Sequence, residues 1–478
     1  MVHEECGLFG VFAGRNSDCL GTPIAELCYA GLYALQHRGQ ESCGIAVKNG
    51  DGITNRRDLG LVGQVFTPDV LASLGDGGRG RMAVAHTRYG TTGVNRRSNA
   101  QPFVAKHIKG SIALAHNGNL TNASQLRRAL EMQGNIFHTS SDTEAIIYTI
   151  IRERLNADSI EKAVEKAMYT LQGAYSLVLM SHRKLIAVRD PHGFRPLCIG
   201  RLGDASVFAS ESCALSAVGA QFERDVMPGE IVVASVDGLC SITTHCGGLS
   251  SLCVFEYIYF ARPDSVIDGL SVHDARVMAG EILAREHPAD ADVVIGVPDS
   301  GLDAALGFSR ASGIPFDFGF LKNKYIARTF ISPNAHDRAE RVRLKLNPIS
   351  TAVKGKRVVM VDDSIVRGTT SMQIIRLLRE AGAVEVHIRL SCPPFLYPCY
   401  FGTDIDRSEN LIAHNHTLFE IQQIIGADSI GYLPIGALAE ITSGCRSGLC
   451  TACFNGHYPV DISACGEKDL FEREIDTD

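Results

Sequence analysis

The chain has 478 residues, more than one hydrophobic core ordinarily organises, so its length predicts two domains and a tail. Hydrophobic residues make up 45% and charged residues 21%, which fits a soluble globular protein and excludes extensive disorder. The formal charge is -7 with both signs interspersed and no Lys/Arg stripe, so no nucleic-acid partner is expected.

The N-terminal residues Met1-Val-His-Glu-Glu-Cys6 are acidic where a signal peptide is basic. No apolar run reaches the roughly 18 residues of a spanning helix, so no membrane partner is expected. A cytoplasmic protein follows, with its 15 cysteines reduced, inert, catalytic or metal-bound rather than paired. To about residue 245, short β runs at Cys6–Ala13, Met82–Thr87, Ser111–Ala115, Ser176–Leu179 and Lys184–Arg189 flank helical spacing at Ala123–Met132 and Thr143–Leu155. Strands on both sides of a helical block, without βαβ alternation, predict a layered α+β domain over 6–245. Residues 246–440 form the second unit, and its rhythm changes from Asp292. Val293–Val297 reads as a buried strand, Pro298–Gly301 as a turn, Leu302–Ser309 as a helix and Phe316–Leu321 as a strand. The pattern recurs at Val358–Val361, a loop at Asp362–Thr370, and a helix from Ser371 to about Ala381 that Gly382 ends. This alternation predicts an α/β domain with a doubly wound parallel sheet, whose ligands bind at the carboxyl ends of the strands. Residues 441–478 are a cysteine-bearing, Gly-rich tail. There are no repeats and no low-complexity tract.

The most specific stretch is Val358-Val-Met-Val-Asp-Asp-Ser-Ile-Val-Arg-Gly-Thr-Thr370. A buried strand delivers Asp362 and Asp363 to the sheet edge, and the loop offers Arg367, Gly368, Thr369 and Thr370 ahead of a helix. Amide groups at that helix start favour a phosphate. The acids would repel bare phosphate and instead suit ribose hydroxyls and a hydrated Mg2+. This segment resembles the phosphoribosyl pyrophosphate (PRPP) motif of the type I phosphoribosyltransferases. The resemblance implies that Asp362 and Asp363 hold the ribose hydroxyls with Mg2+, and that the loop from Ser364 to Thr370 holds the 5′-phosphate. Gly296-Val-Pro-Asp-Ser-Gly301 resembles that family's pyrophosphate loop, with Ser300 near the metal-bound diphosphate. Lys322-Asn-Lys-Tyr-Ile-Ala-Arg328 resembles its mobile loop, with Lys322, Tyr325 and Arg328 placed to neutralise the leaving diphosphate.

Cys6-Gly-Leu-Phe-Gly looks like ordinary strand packing unless Cys6 becomes the first residue. A free α-amine with a pKa of roughly 7.7–8.0 could then take the thiol proton, with no histidine base required. Removal of the initiator Met alone exposes Val2, so a propeptide of residues 1–5 is expected. Leu35-Gln-His-Arg-Gly-Gln-Glu-Ser-Cys-Gly44, His86-Thr-Arg-Tyr-Gly-Thr91, Ala115-His-Asn-Gly-Asn119 and Ser140-Ser-Asp-Thr-Glu144 follow in order. Together with Cys6 they resemble the class II glutamine amidotransferases, whose domain is the N-terminal nucleophile (Ntn) hydrolase αββα sandwich. By that resemblance Cys6 is the nucleophile, and Asn117 and the Gly118 amide form the oxyanion hole. Arg88 takes the glutamine α-carboxylate, Asp142 the α-ammonium, and Thr91 adds a binding contact. His37, His86 and His116 carry no such support and are read as structural.

Cys450-Thr-Ala-Cys453, with Cys445 nearby, is by spacing a zinc or iron–sulfur half-site or a redox dithiol. Ser251–Ser265 and Pro394–Cys399 extend the resemblance to the iron–sulfur, propeptide-bearing members of the amidophosphoribosyltransferase family. That implies a structural 4Fe-4S cluster on Cys253, Cys399, Cys450 and Cys453, clamping the tail onto the second domain. Four thiolates would also suit zinc. The resemblance covers Cys6 to about Pro459. It implies synthesis of 5-phosphoribosylamine, pyrophosphate and glutamate from PRPP and glutamine, with purine nucleotides as feedback inhibitors and a homotetramer as the assembly. A different class II amidotransferase, such as a sugar-phosphate aminating enzyme, and a non-catalytic iron–sulfur sensor of PRPP or nucleotides share parts of the pattern. The Asp362–Thr370 motif argues against the former. The mature chain is expected to begin at Cys6; Edman or intact-mass analysis that finds Val2 first would overturn this.

Overall fold

The computed structural model describes residues 6–14, 21–50, 52–75, 80–89, 96–323, 343–405, 407–463 and 465. The expected propeptide, Thr91, Tyr325 and Arg328 lie outside the described residues.

The first unit contains β1 (Gly7–Phe12), β2 (Ser42–Asn49), β3 (Gly52–Leu59), β4 (Met82–Arg88), β5 (Phe103–His107), β6 (Gly110–Leu120) and β7 (Gly173–Met180). It continues through β8 (Leu185–Arg189), β9 (Cys198–Leu202), β10 (Ala205–Ala209), β11 (Gln221–Asp225), β12 (Ile231–Ser235) and β13 (Gly238–Ile242). They form a seven-stranded sheet in the order β11-β9-β10-β1-β4-β2-β3 and a six-stranded sheet in the order β13-β12-β8-β7-β6-β5. Strand pairing is antiparallel throughout. Leu8 and Phe12 of β1 share a core with Val178 and Met180 of β7, between the sheets. The alternate residues Phe9 and Val11 pack on the other face against the helix Ile24–Ala34. Beyond the second sheet, Ile112, Leu114, Leu177 and Leu179 pack beneath the helices Asp142–Asn156 and Ile160–Met168. The result is an αββα sandwich.

In the second unit, Val293–Gly296, Arg357–Asp362, Glu385–Leu390 and Ser429–Tyr432 pair in that order, all parallel. Val359 and Val361 face the helices Val272–Glu286 and Gly301–Ser312, while Val358 and Met360 face Thr369–Glu380 and Leu418–Ile425. The sheet is therefore doubly wound. One expected strand differs. Phe316 makes only an isolated bridge to Val294, and Phe320–Lys322 pairs antiparallel with Leu346–Pro348 outside the parallel sheet. Its apolar run, Phe316-Asp-Phe-Gly-Phe-Leu321, is split by Asp317 and Gly319, and Phe318 stands exposed.

The tail also departs from expectation. Leu449–Cys450 pairs in parallel with Leu252–Cys253, and Cys450 and Ala452 pack with Ala174 and Phe194 of the first unit. The tail is thus fastened to both units. Among the described residues no helix is long and apolar enough to cross a membrane.

Buried ions hold the two units together. Arg38, fully shielded, donates from Nη1 to Glu211 at 2.6 Å and through Nη1 and Nη2 to Glu256 at 2.9 and 2.8 Å. Arg189 donates to both carboxylate oxygens of Asp268 at 2.8 and 3.0 Å. Glu211 also accepts from Arg262 N at 2.9 Å and Ser265 Oγ at 2.7 Å across the same boundary. Burial would raise the Glu211 pKa, but His37 and Arg38 outweigh it and hold the carboxyl well below its ordinary value. Its stabilisation is therefore present above the ordinary Glu pKa and lost as pH falls below it. Glu211→Gln should cost about 3–5 kcal/mol at pH 7, as removal of one partner of a buried pair does. The deficit should shrink below about pH 4.3, where the parent carboxylate begins to lose its advantage over the unfolded chain. Urea midpoints at pH 7 and pH 3 test this, and an equal deficit at both counts against it.

Candidate active sites

The first site forms where the ends of the two sheets meet. Cys6 precedes β1, the central strand of its sheet; its thiol donates to Tyr89 O at 3.6 Å and its carbonyl accepts from Arg38 Nε at 3.0 Å. Register pairs Gly7 with Thr87, which sets Cys6 beside Arg88 at the end of β4. Arg88 is buried, with Nη1 4.0 Å from Glu41 Oε2.

Asn117 and Gly118 come from β6 of the facing sheet. Asn117 is 1% exposed, and neither its Oδ1 nor its Nδ2 has a hydrogen-bond partner. An amide buried this way ordinarily costs stability, so both groups are available to a ligand. Gly118 has φ +141, and a Cβ there would lie 2.1 Å from Ala174 O. Only glycine allows this peptide to turn at such close approach.

Asp142 begins the helix Asp142–Asn156 behind the Ser141 cap, where a negative charge suits the helix dipole. Its Oδ2 accepts from Leu120 N at 3.0 Å, and Oδ1 lies 3.5 Å from His116 Nδ1. Burial would raise its pKa, but His116 and the Leu120 and Thr143 amides pull it below the ordinary value. It therefore remains an anion suited to an ammonium group. The three histidines have structural partners. His86 Nε2 lies 3.0 Å from His116 O and joins the sheets, and burial lowers its pKa to about 3, so the ring is neutral. His116 Nδ1 meets Thr143 Oγ1 at 3.2 Å, and His37 Nε2 meets Glu211 at 2.8 Å.

The second site lies at the carboxyl end of the parallel sheet. Asp362 ends its strand, and Asp363 accepts from Ser300 Oγ at 2.6 Å and from Ser364 Oγ. Burial, then the neighbouring Asp363, raises the Asp362 pKa well above the carboxylate range. The pair is built for a cation or hydroxyl donors. Gly368, with φ +77, turns the chain into the helix Thr369–Glu380, while Arg367 and Thr369 are exposed at its start. Lys322 pairs with Asp299 on the pyrophosphate-type loop.

A cavity of about 510 Å3 joins Asp362, Asp363, Ser300, Thr370 and Lys322 to Gln36 and His37 of the first unit. Arg276, Lys345 and Tyr259 also line it. Sequence reading missed these three. Arg276 lies in an amphipathic helix with no motif, and its guanidinium reaches Tyr257 O at 2.7 Å and Ala261 O at 2.8 Å.

Cys253, Cys399, Cys450 and Cys453 line one cavity with Phe194, Phe255, Phe395, Phe401 and Tyr458. Burial raises the Cys450 thiol pKa to about 12. Burial, then Cys399, Cys253 and Cys450, also drives Cys453 up. Four mutually repelling sulfurs in an apolar shell become thiolates only with a cationic centre among them. Among the described residues, no three His, Cys, Asp or Glu side chains converge on one ion position. Cys445 stands apart, 3.4 Å from the Tyr257 hydroxyl.

Fold and sites together define a glutamine amidotransferase joined to a phosphoribosyltransferase. Residues 86–217 match the glutamine amidotransferase domain family and residues 270–427 the phosphoribosyl transferase domain family. An amidophosphoribosyltransferase of Methanocaldococcus jannaschii is 46% identical over 96% of this chain and 98% of its own. That of Bacillus subtilis is 45% identical over 96% and 95%. The solved B. subtilis glutamine PRPP amidotransferase, complexed with ADP and GMP, superposes with a TM-score of 0.87 at 44% identity, covering 96% of this chain and 98% of that one. A structure described as the allosteric regulatory enzyme of purine biosynthesis superposes with a TM-score of 0.89 at 43% identity, covering 98% and 100%. The chain belongs to the amidophosphoribosyltransferase family.

Asn117→Ala should lower kcat for glutamine hydrolysis about 100- to 1,000-fold, the usual loss for one oxyanion donor. Thr91→Ala should cost less. Steady-state glutaminase kinetics on both variants check the order.

Proposed function

We propose that this chain catalyses the entry step of purine synthesis, making 5-phosphoribosylamine, glutamate and pyrophosphate from PRPP, glutamine and water. The observation that carries this reading is the single cavity joining the two-acid phosphoribosyl site to the glutaminase half. Processing exposes the Cys6 amine, which takes the thiol proton as sulfur attacks the glutamine amide carbon. Arg88 and Asp142 hold the amino-acid end, and a guanidinium suits the carboxylate by its planar fork. Asn117 and Gly118 stabilise the oxyanion, ammonia leaves, and water releases glutamate from the γ-glutamyl thioester. Ammonia then passes to C1 of PRPP at the second site. That step needs a held substrate and a stabilised leaving group more than a protein base. Asp362 and Asp363 hold the ribose hydroxyls, Ser364 to Thr370 the 5′-phosphate, and Lys322, Tyr325 and Arg328 supply the groups that neutralise the diphosphate.

Two metal groups belong to this reading. Mg2+ fits beside Ser300, Asp362 and Asp363, where it would neutralise the diphosphate and relieve the pressure that burial puts on Asp362. A 4Fe-4S cluster on Cys253, Cys399, Cys450 and Cys453 would serve as a structural centre. Four thiolates suit zinc or an iron–sulfur cluster alike, and the family resemblance favours the cluster. Purine nucleotides are the proposed inhibitors, in keeping with the ADP and GMP of the B. subtilis complex, and a homotetramer is the proposed assembly.

Anaerobically prepared protein should hydrolyse glutamine faster when PRPP is present, start at Cys6, and contain about four iron and four sulfide per chain. Amination without PRPP would point to another amidotransferase. Processed, loaded protein lacking glutaminase activity would point to a sensor, and stoichiometric zinc would overturn the cluster.

A further inference from the structure

The oxyanion strand does not stand on its own sheet alone. Asn119, next after Gly118, donates from Nδ2 to Tyr400 O of the second unit at 2.9 Å. A Cβ on Gly402, whose φ is +114, would lie 3.4 Å from the Gly118 carbonyl carbon and 3.0 Å from Arg195 Nη2. Arg195, buried in the first unit, donates to Phe401 O at 2.6 Å. Phe401 stacks on Phe194 with ring centroids 4.2 Å apart. Gly118 Cα and its carbonyl carbon therefore lie between Ala174 of its own sheet and Gly402 of the other unit.

We infer that the Tyr400–Gly402 turn is a positioning element of the glutaminase, with Asn119 and Gly402 setting the direction of the Gly118 amide. The inference rests on the reading that Asn117 and Gly118 form the oxyanion hole. Neither Asn119 nor Gly402 touches glutamine; each acts through Gly118. An oxyanion donor must point at the oxygen as it becomes charged, and a small misplacement costs rate more than it costs ground-state binding. Substrate affinity is accordingly left to Arg88 and Asp142, and turnover depends on the domain contact.

The test uses full-length, processed, metal-loaded enzyme carrying Asn119→Ala, Gly402→Ala or Asn117→Ala. Glutamine-dependent and ammonia-dependent phosphoribosylamine formation are compared. A second readout is the affinity for glutamate γ-semialdehyde. Cys6 sulfur adds to its carbonyl carbon, and the carbonyl oxygen takes the thiol proton, giving a tetrahedral hemithioacetal whose oxygen occupies the hole. Glutamine affinity itself is measured in a Cys6→Ala background. Asn119→Ala should lower the glutamine-dependent kcat at least about 10-fold, with the glutamine KM within about threefold and the ammonia rate within about twofold. Semialdehyde affinity should fall by about the same factor as kcat, while glutamine affinity holds. Equal loss of both activities, or equal loss of both affinities, would mean general destabilisation and overturn the inference. If Gly402→Ala does not fold, Asn119→Ala decides alone. Wild-type turnover in Asn117→Ala would remove the oxyanion reading and this inference with it. Loss in Asn117→Ala with wild-type kcat in Asn119→Ala would overturn this inference only.

Discussion

Arg38 is cut off from solvent, yet three elements distant in sequence depend on its charge. Glu211 of the first unit takes Nη1, Glu256 of the second takes Nη1 and Nη2, and the Cys6 carbonyl takes Nε. Burial alone would lower its pKa, but Glu256 and Glu211 raise it well above the ordinary value. Arg195 Nη1, 3.6 Å from Glu256, supplies a second cation, so two guanidinium groups face two carboxylates. Such a quartet pays a large desolvation cost, and an apolar replacement of equal volume could match its stability. Apolar packing could not, however, fix direction. A planar fork with its donors committed to two carboxylates leaves Nε one orientation, and the backbone of Cys6 is held at that point.

This constraint explains why the two halves of the chain are not independent modules. Cys6, the proposed nucleophile, is tied through Arg38 to Glu256 of the other domain. The Arg189–Asp268 pair and the Arg262 and Ser265 contacts to Glu211 repeat the arrangement along the same boundary. Charged groups at an ordinary domain boundary would be hydrated and free to slide. Here Arg38, Arg189, Glu211, Glu256 and Asp268 are buried and paired beside the cavity between Gln36 and Asp363.

Legibility in the sequence followed the reach of each interaction. The phosphoribosyl site could be read because strand, acids, loop and helix are contiguous from Val358 to Ala381, and local physics orders them. Its companion strand at Phe316–Leu321 was misassigned because an apolar run does not say which neighbour will pair with it. The αββα sandwich could not be read from periodicity. Helices cover the outer faces of both sheets, so Phe9 and Leu8 are equally buried and the alternation of a half-exposed strand is erased. Family resemblance supplied that architecture. The Arg38–Glu256 pair left no signal at all, since 218 residues separate its partners and neither belongs to a spacing motif that reveals the other.

The tail changes its meaning once these contacts are in place. Read as a chain segment, 441–478 is an appendage with a Cys-x-x-Cys. In the fold, Cys450 pairs beside Cys253, Cys253 N donates to Phe194 O of the first unit, and Phe194 lies against Phe401. The apolar shell of the four cysteines is therefore the other side of the surface that carries Gly118. A centre bound among those sulfurs would brace the second domain, the tail and the strand that carries Gly118 at once. Such a centre would bear on the proposed catalysis without taking part in it, because the wall it would stiffen is the one that carries Asn117 and Gly118.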